Sequence, residues 1–172
     1  MNFLAKNIKE KLQNIQLLAM DFDGVLTDNR VFVDDAGKEM VACSRSDSLG
    51  IDLLRRKRPD IRLVVISKET NPVVSARCKK LHLECISGID DKPVILKEII
   101  AKGNYSPDRV AYIGNDINDL GCIQAAGIGI AVADSDPAVL HGADYITGKK
   151  GGCGAIREIT DIILSLNTNS PS

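Results

Sequence analysis

The chain has 172 residues, with 44% hydrophobic and 26% charged residues and a formal net charge of −1. These values predict one compact globular domain, residues 1–166, followed by a disordered polar tail at 167–172. Lys and Arg are scattered along the chain, and aromatic residues make up only 3% of it. We therefore expect no nucleic-acid partner and no attachment to a membrane surface, since both need a basic patch.

Cysteine usage and hydropathy predict a cytoplasmic protein. The five cysteines form no CxxC pair, as expected for reduced and mostly buried thiols. The N-terminus lacks the apolar core of a secretory signal, and no run of about 18 apolar residues could span a bilayer.

Short apolar runs alternate with helical patterns along the whole chain. A first helix is indicated by apolar residues at helical spacing, namely Leu4, Ile8, Leu12 and Ile15. The run IQLLAMD then predicts a buried strand, and a β-hairpin follows at residues 30–43 with its turn at 34–37. The next helix lies in SDSLGIDLLRR, with Ser46 or Asp47 as its N-cap.

The remaining elements continue this alternation. Strands are predicted at 62–67, 84–87, 109–114, 128–133 and in ADYIT, and helices at 72–81, 92–102, 116–126, 137–141 and 155–166. Buried strands that alternate with helices predict an α/β fold, a mostly parallel Rossmann-like sheet with helices on both faces. Ligands of such folds bind beyond the carboxyl ends of the strands, near the switch in strand order.

Polar side chains stand where four of these elements end or begin. Asp21 and Asp23 follow the first strand in DFDGVLTD, and Ser67 ends RLVVIS. Lys92 opens a helix, and Asn115 lies in GNDIND after the strand RVAYIG. Each of these motifs alone is weak evidence for a functional site, since a DxD pair is often a turn and a single Ser or Lys is often a helix cap or a solvated side chain. Their order and placement together indicate one site.

This set of residues fits phosphoryl transfer. A phosphate monoester carries negative charge, so a carboxylate can approach it only beside a cation, and clustered acids favour Mg²⁺. Asp21 can attack phosphorus as a nucleophile, and Asp23 can protonate the leaving oxygen and later activate water. Ser67 can bind a phosphoryl oxygen, Lys92 can offset its charge, and Gly24 lets the backbone approach it.

These motifs resemble those of the haloacid dehalogenase superfamily, and the resemblance runs from about Leu17 to Leu164. It implies that Asp21 is the nucleophile and Asp23 the acid/base. It also implies a metal held by the Asp21 carboxylate, the Asp23 backbone carbonyl and a side chain of the fourth motif. The candidates in that motif are Asn115, Asp116 and Asp119.

A closer resemblance is to the 3-deoxy-octulosonate 8-phosphate phosphatase branch, whose members are short, lack a cap domain and carry a hairpin after the first motif. The segment KKGGCGAIRE looks like the glycine-rich C-terminal segment of that branch. The resemblance implies a homotetramer in which neighbouring subunits help to close the active sites. One residue departs from the pattern: most of these phosphatases have Asp where this chain has Asn115, and an uncharged amide predicts weaker metal binding.

The substrate is predicted to be a small sugar acid phosphate with eight or nine carbons. SDS at 46–48 and ISKETNPVVSARCKKL resemble relatives that act on sialic-type acids or are fused to sialate cytidylyltransferases. Glu69 can receive an amino or hydroxyl group, and Arg77 or Lys80 a carboxylate, unless these side chains are simply solvated. The candidates for substrate binding are Gly24, Ser46, Asp47, Glu69, Arg77, Lys80 and Asn118.

Two other functions share parts of this pattern. A receiver domain also combines acids, Mg²⁺, Ser or Thr, and Lys, but its phosphoacceptor follows the third strand rather than the first. The second alternative is a catalytically weak oligomerisation or regulatory module of an acylneuraminate cytidylyltransferase. The uncharged Asn115 in the fourth motif favours this alternative. Such a module has no need of the like charges of Asp21 and Asp23, so we expect a phosphatase.

Overall fold

The computed structural model describes residues 5–167, and its elements follow the predicted order closely. The strands are β1 (Leu17–Met20), β2 (Thr27–Val33), β3 (Glu39–Cys43), β4 (Arg62–Ile66), β5 (Glu84–Ile86), β6 (Val110–Gly114), β7 (Ile128–Ala131) and β8 (Tyr145–Ile146). The helices are α1 (Lys6–Gln13), α2 (Arg45–Lys57), α3 (Pro72–Leu81), α4 (Lys92–Lys102), α5 (Ile117–Ala125), α6 (Pro137–Gly142) and α7 (Ala155–Asn167). A short 3-10 helix at Pro107–Arg109, which the sequence patterns do not predict, precedes β6.

Six strands form a parallel sheet in the order β5-β4-β1-β6-β7-β8, which confirms the predicted α/β class. The chain builds outward from β1 through β4 to β5, then crosses back and adds β6 on the other side of β1. This switch in strand order brings the carboxyl ends of β4, β1 and β6 side by side.

Apolar side chains from the sheet pack into two cores, one on each face. Leu18 and Met20 of β1 belong to the core that also contains residues of α1, α2, α3 and α7, whereas Leu17 and Ala19 belong to the core beneath α4, α5 and α6. Successive residues of a strand point to opposite faces, so β1 is buried on both sides. The strand is therefore held firmly where the chain continues to Asp21.

Strands β2 and β3 form the predicted hairpin as a separate two-stranded antiparallel sheet. Its turn follows Asp34, whose carboxylate accepts hydrogen bonds from the backbone N–H groups of Ala36 and Lys38. Gly37 has a φ of 78°, a conformation that glycine adopts without strain. The hairpin joins β1 to α2 and so lies next to the carboxyl end of the central strand.

The N-cap of α2 is Ser44, so the prediction of Ser46 or Asp47 was wrong by two or three residues. The Ser44 hydroxyl oxygen accepts hydrogen bonds from the backbone N–H groups of both of those residues. The buried Asp47 carboxylate instead accepts from the N–H groups of Gly154 (3.2 Å) and Arg157 (2.8 Å). Asp47 therefore caps the first turn of α7 from a neighbouring helix.

Three predictions concern the chain ends, the membrane and the cysteines. Leu4 and residues 168–172 lie outside the described part of the chain. Within residues 5–167, no helix combines the length and the apolar character needed to cross a membrane. All five cysteines are free thiols, but only Cys78 and Cys122 are buried, so the expectation of mostly buried thiols was wrong.

The substitution Asp47→Ala should lower the free energy of unfolding by about 1–3 kcal/mol, because two N–H groups at the start of α7 lose their acceptor. Urea unfolding followed by circular dichroism measures this change. The control is Asp52→Ala on the same helix, which removes only exposed ion pairs with Arg55 and Arg56 and should cost less than about 1 kcal/mol. Equal losses in the two variants would contradict the capping role.

Candidate active site

The structure brings the predicted strand-end residues together in one cavity. Asp21 follows β1, Ser67 follows β4, and Lys92 is the first residue of α4. The cavity has a volume of about 370 Å³, and the side chains that line it are those of Asp21, Asp23, Ser67, Lys68, Glu69, Thr70, Lys92 and Asn118. Polar groups from separate strand ends therefore converge at the switch in strand order, as expected for this fold.

The Lys92 ammonium lies between two buried carboxylates. Its Nζ is 2.7 Å from Asp21 Oδ1 and 2.8 Å from Asp119 Oδ1. Asp91 is the N-cap of α4 and accepts a hydrogen bond from the N–H group of Val94. The cap fixes the start of the helix and thereby directs Lys92 towards β1.

Asp119 accepts four hydrogen bonds, and they occupy both of its carboxylate oxygens. Oδ1 accepts from Lys92 and from the Tyr112 hydroxyl (2.7 Å), and Oδ2 accepts from the backbone N–H groups of Asn115 (2.9 Å) and Asp116 (3.3 Å). These four hydrogen bonds use the lone pairs of the carboxylate, which favours a positioning role for Asp119 over direct binding of a metal. Asp119 thereby positions Lys92, and Tyr112 of β6 is a contributor that the sequence analysis did not identify.

Burial raises the pKa of Asp21 to about 7 from an ordinary value of 3.8, and the negative charge of Asp119 adds to the increase. Lys92 opposes it through its charge and its hydrogen bond. For Lys92 itself, burial lowers the pKa, but the two carboxylates outweigh that effect and hold it above its usual value. The ammonium therefore stays charged beside both acids.

Burial also raises the pKa of Asp23, and the neighbouring Glu69 carboxylate raises it further, whereas Lys92 lowers it. The Asp23 side chain is half-buried and faces the same cavity as Asp21. A carboxyl group with a raised pKa gives up its proton less readily than an ordinary one, which suits a residue that exchanges a proton with a leaving oxygen. The contact with the Lys92 ammonium distinguishes Asp21, because it stabilises the ionised form that a nucleophile requires.

Asn115 provides the observation that best tests a metal at this site. Its side chain is buried, and Oδ1 has no hydrogen-bond partner among the described residues. Both hydrogen bonds to Asp21 end on Oδ1, which leaves its Oδ2 available. An orphaned amide oxygen and a carboxylate oxygen are the kind of ligands that Mg²⁺ accepts. Asp116 faces solvent as the N-cap of α5, where it accepts from the N–H group of Ile117.

Within residues 5–167, no three side chains of His, Cys, Asp or Glu are grouped so that they could bind a metal by themselves. A metal at the cavity would therefore need a mixed set of ligands, with the Asn115 amide and backbone carbonyl oxygens beside the Asp21 carboxylate. The residues present fit such a set.

Glycines at positions 24 and 151 allow close contacts around the loop that follows β1. Gly24 has a φ of 77°, and a Cβ there would overlap the Asn115 amide. A Cβ at Gly151 would overlap the carbonyl oxygen of Gly24, and the N–H group of Gly152 donates to the carbonyl of Val25 (2.9 Å). The close contact between these backbones supports the loop that carries Asp21 and Asp23.

The other predicted substrate residues are divided among several places. Glu69 and Asn118 line the cavity, but Ser46 is exposed at the start of α2 and Asp47 is turned towards α7. Arg77 and Lys80 line a different cavity, farther along α3. Sequence reasoning missed Glu39 of the hairpin, whose carboxylate accepts from the Asn71 amide (2.9 Å) and contributes to the raised pKa of Asp23.

A model of the haloacid dehalogenase-like hydrolase family matches residues 65–159. Among curated proteins, the chain is 32% identical over 162 residues to the 3-deoxy-D-manno-octulosonate 8-phosphate phosphatase of Escherichia coli, covering 94% of this chain and 85% of that protein. It is 35% identical to the phosphatase of that name from Yersinia pestis, covering 94% and 86%.

Solved structures show the same similarity. A phosphatase of that name from Moraxella catarrhalis, in complex with magnesium, phosphate and KDO, superposes with a TM-score of 0.90 at 35% identity, covering 96% of this chain and 95% of that one. A HAD family hydrolase from Streptomyces avermitilis is 41% identical, with a TM-score of 0.86 and coverage of 92% and 91%. The cobalt-bound phosphatase from Haemophilus influenzae has a TM-score of 0.85 at 32% identity, covering 93% of each chain.

The chain therefore belongs to the haloacid dehalogenase-like hydrolase family. Within that family its similarity is to the octulosonate 8-phosphate phosphatases, and the chain is a phosphatase.

The raised pKa of Asp21 predicts a pH-dependent stability of the protein in EDTA. A folded-state pKa of about 7 against 3.8 means that the folded protein binds this proton more tightly than the unfolded chain. The protonated Asp21 carboxyl group therefore contributes its whole stabilisation below about pH 4, and this stabilisation is lost as the pH rises through about 7. The difference in unfolding free energy between the wild type and Asp21→Asn should change in that direction, as measured by urea unfolding across this range. A constant difference would contradict the raised pKa.

Proposed function

We propose that the protein hydrolyses the phosphate monoester of a 2-keto-3-deoxy sugar acid, with Mg²⁺ as cofactor and an aspartyl-phosphate as intermediate. The observation that carries the proposal is the Lys92–Asp21 ion pair of 2.7 Å in a cavity that also holds Asp23 and Ser67. A buried cation beside a nucleophilic carboxylate can offset the charge of an incoming phosphate. A cytoplasmic location remains a prediction from the sequence.

In the proposed first step, an Asp21 oxygen attacks phosphorus and the bond from phosphorus to the sugar oxygen breaks. The leaving oxygen takes a proton from the carboxyl group of Asp23, whose pKa is raised by burial. Ser67, buried at the end of β4, can donate its hydroxyl to a phosphoryl oxygen. Asp23 then accepts a proton from water, which attacks the aspartyl-phosphate and releases inorganic phosphate and free Asp21.

Bound Mg²⁺ would supply the positive charge that lets a phosphate dianion approach the Asp21 carboxylate. We propose the Asp21 carboxylate, the Asp23 backbone carbonyl and the orphaned Asn115 Oδ1 as its protein ligands. The relatives support magnesium as the metal, since one solved phosphatase is a complex with a magnesium ion. Asp119 acts through Lys92. One of its four hydrogen bonds is to Lys92, and the other three fix the Asp119 carboxylate.

Octulosonate 8-phosphate and a nonulosonate 9-phosphate are the two proposed substrates. The names of the relatives favour the octulosonate. Glu69, at the rim of the cavity, favours the nonulosonate because its carboxylate could receive an amino or hydroxyl group of the longer sugar. Gly24 and Asn118 would complete the contacts of one subunit, and the exposed Ser46 could reach substrate only in the cavity of a neighbouring subunit.

Purified protein with Mg²⁺ should hydrolyse at least one of these two sugar phosphates faster than a generic phosphate ester. In Asp21→Asn, kcat should fall at least about 1,000-fold, because no nucleophile remains. The matched control is Asp90→Asn, whose exposed carboxylate forms an ion pair with Lys68, and its activity should be close to that of the wild type. No turnover of any ester by the wild type would instead favour a non-catalytic module of a cytidylyltransferase.

We also propose that four chains assemble through their hairpins. The hairpin exposes Val31, Phe32, Val33 and Met40, each with 51% to 62% of its surface accessible. Neighbouring apolar side chains on a projecting ribbon favour burial against another chain. A tetramer would also cover the carboxyl ends of the strands, where the catalytic cavity opens.

The substitution Phe32→Lys should shift the protein from a tetramer towards the monomer, because it places a charge within the buried contact. Sedimentation velocity measures the change. Asp35→Lys, an exposed residue in the hairpin turn, adds positive charge without removing an apolar contact and should leave the assembly intact. A monomeric wild type, or equal behaviour of both variants, would exclude the hairpin as the interface.

A further inference from the structure

Two of the five cysteines, Cys78 and Cys85, contact each other away from the side chains that line the catalytic cavity. Cys78 lies on α3 and is fully buried, and Cys85 is the middle residue of β5, the strand at one edge of the sheet. Both side chains pack into the core on the α2 and α3 side of the sheet, and their thiols form a hydrogen bond. The proposed phosphatase mechanism uses neither thiol.

The backbone between the two cysteines brings their side chains together. Helix α3 ends at His82, whose φ of 55° is left-handed, and the N–H group of Leu83 then donates to the carbonyl of Cys78 at 3.0 Å. The chain thereby turns back along the helix and enters β5. Parallel pairing with β4 fixes Cys85 opposite Val65. The contact between the two sulfur atoms is therefore set by the helix end and by the strand register.

The two thiols differ in their access to solvent. Burial raises the pKa of the Cys78 thiol, and the neighbouring Cys85 raises it further, so Cys78 stays protonated and reacts slowly by itself. Cys85 is only partly buried, and a reagent from solvent therefore reaches it first. Cys43 is also partly buried, but Cys78 interacts more strongly with Cys85 than with Cys43. The geometry thus favours one pair, with Cys85 as the entry point.

We propose that Cys78 and Cys85 are a redox modification site, which forms an internal disulfide in the presence of a small-molecule disulfide such as oxidised glutathione. Cys85 loses its proton and attacks one sulfur of the oxidant, which releases one glutathione as its thiol. The Cys78 sulfur, losing its proton, then attacks the Cys85 sulfur and displaces the second glutathione. Two cysteine thiols are thus oxidised by two electrons, and one glutathione disulfide is reduced to two thiols that carry the two protons.

The disulfide joins two elements that support the segment 67–71, which connects β4 to α3. The N–H group of Ser67 donates to the carbonyl of Ile86, the residue after Cys85, at 2.9 Å. The N–H group of Gly88 donates to the carbonyl of Glu69 at 3.1 Å. A covalent bond between α3 and β5 therefore reinforces the support behind this segment without entering the catalytic cavity. It stabilises the folded state, because the folded chain already holds the two sulfur atoms together.

The test is equilibration of the whole protein with mixtures of reduced and oxidised glutathione, without air, followed by acid quenching, alkylation and mass spectrometry. Trypsin cleaves after Lys79 and Lys80, which separates the two cysteines, so their peptides stay together only where a disulfide joins them. A loop as short as residues 78–85 also closes in an unfolded chain, and the same equilibrium is therefore measured in urea. The equilibrium constant should be at least about tenfold larger in the folded protein, because a disulfide that stabilises the fold must form more readily in it.

Variants identify the partners of the bond. Cys43→Ser should give the same linked peptides as the wild type, whereas Cys85→Ser, at a partly buried position, should give none. Circular dichroism checks that both variants are folded, and the comparison of the folded wild type with the wild type in urea needs no variant. The proposal is overturned by peptides that link Cys43 to Cys78, by a glutathione adduct at Cys85 as the main product, or by an equilibrium constant that is no larger in the folded protein.

Discussion

The buried Lys92 ammonium, placed 2.7 Å from Asp21 and 2.8 Å from Asp119, is the interaction on which the site depends. Two carboxylates this close to one another would repel strongly in a buried place without the cation. The cation in turn would be costly to bury without them. Replacing the group by apolar side chains could stabilise the fold at least as well, so stability alone does not explain it. A nucleophile that must meet an anionic ester does explain it.

This group also orders the surrounding structure. Asp119 reaches Lys92 because α5 begins directly after β6, and its second oxygen is fixed by the N–H groups of Asn115 and Asp116. Tyr112, buried within β6, donates to the first oxygen. The end of one strand therefore sets the position of a lysine on another element, and that lysine sets the position of Asp21. A small displacement of β6 would therefore also displace the Asp21 carboxylate.

Most of the fold could be predicted from the sequence because its strands and helices have distinct apolar periods. The bounds of α3 and α4 were correct, and Pro at the first turn of both helices marks their starts. The N-cap of α2 was wrong because Ser44, Ser46 and Asp47 are all good capping residues, and tertiary contacts decide between them. Asp47 instead caps α7, which lies more than 100 residues further along the chain.

The residues that form the site could be predicted from the sequence, but the roles of some of them could not. Adjacent parallel strands end at one edge, so placing Asp21, Ser67 and Asn115 there needs only the sheet topology. The role of Asp119 depends on how many donors surround it, and a Tyr hydroxyl three strand residues before Asn115 is one of them. Hydrogen-bond saturation is a property of the packed structure, and no spacing along the chain encodes it.

Charge finally explains how the catalytic cavity is filled. Lys68 and Lys92 face the carboxyl groups of Asp21, Asp23 and Glu69, and the buried Asp119 adds a fourth acid beside Lys92, so an anion is repelled until a cation is bound. Asn115 in place of a carboxylate reduces this excess of acids, which eases the approach of phosphate at the expense of attraction for the metal. Metal binding should therefore control the occupancy of this cavity by phosphate.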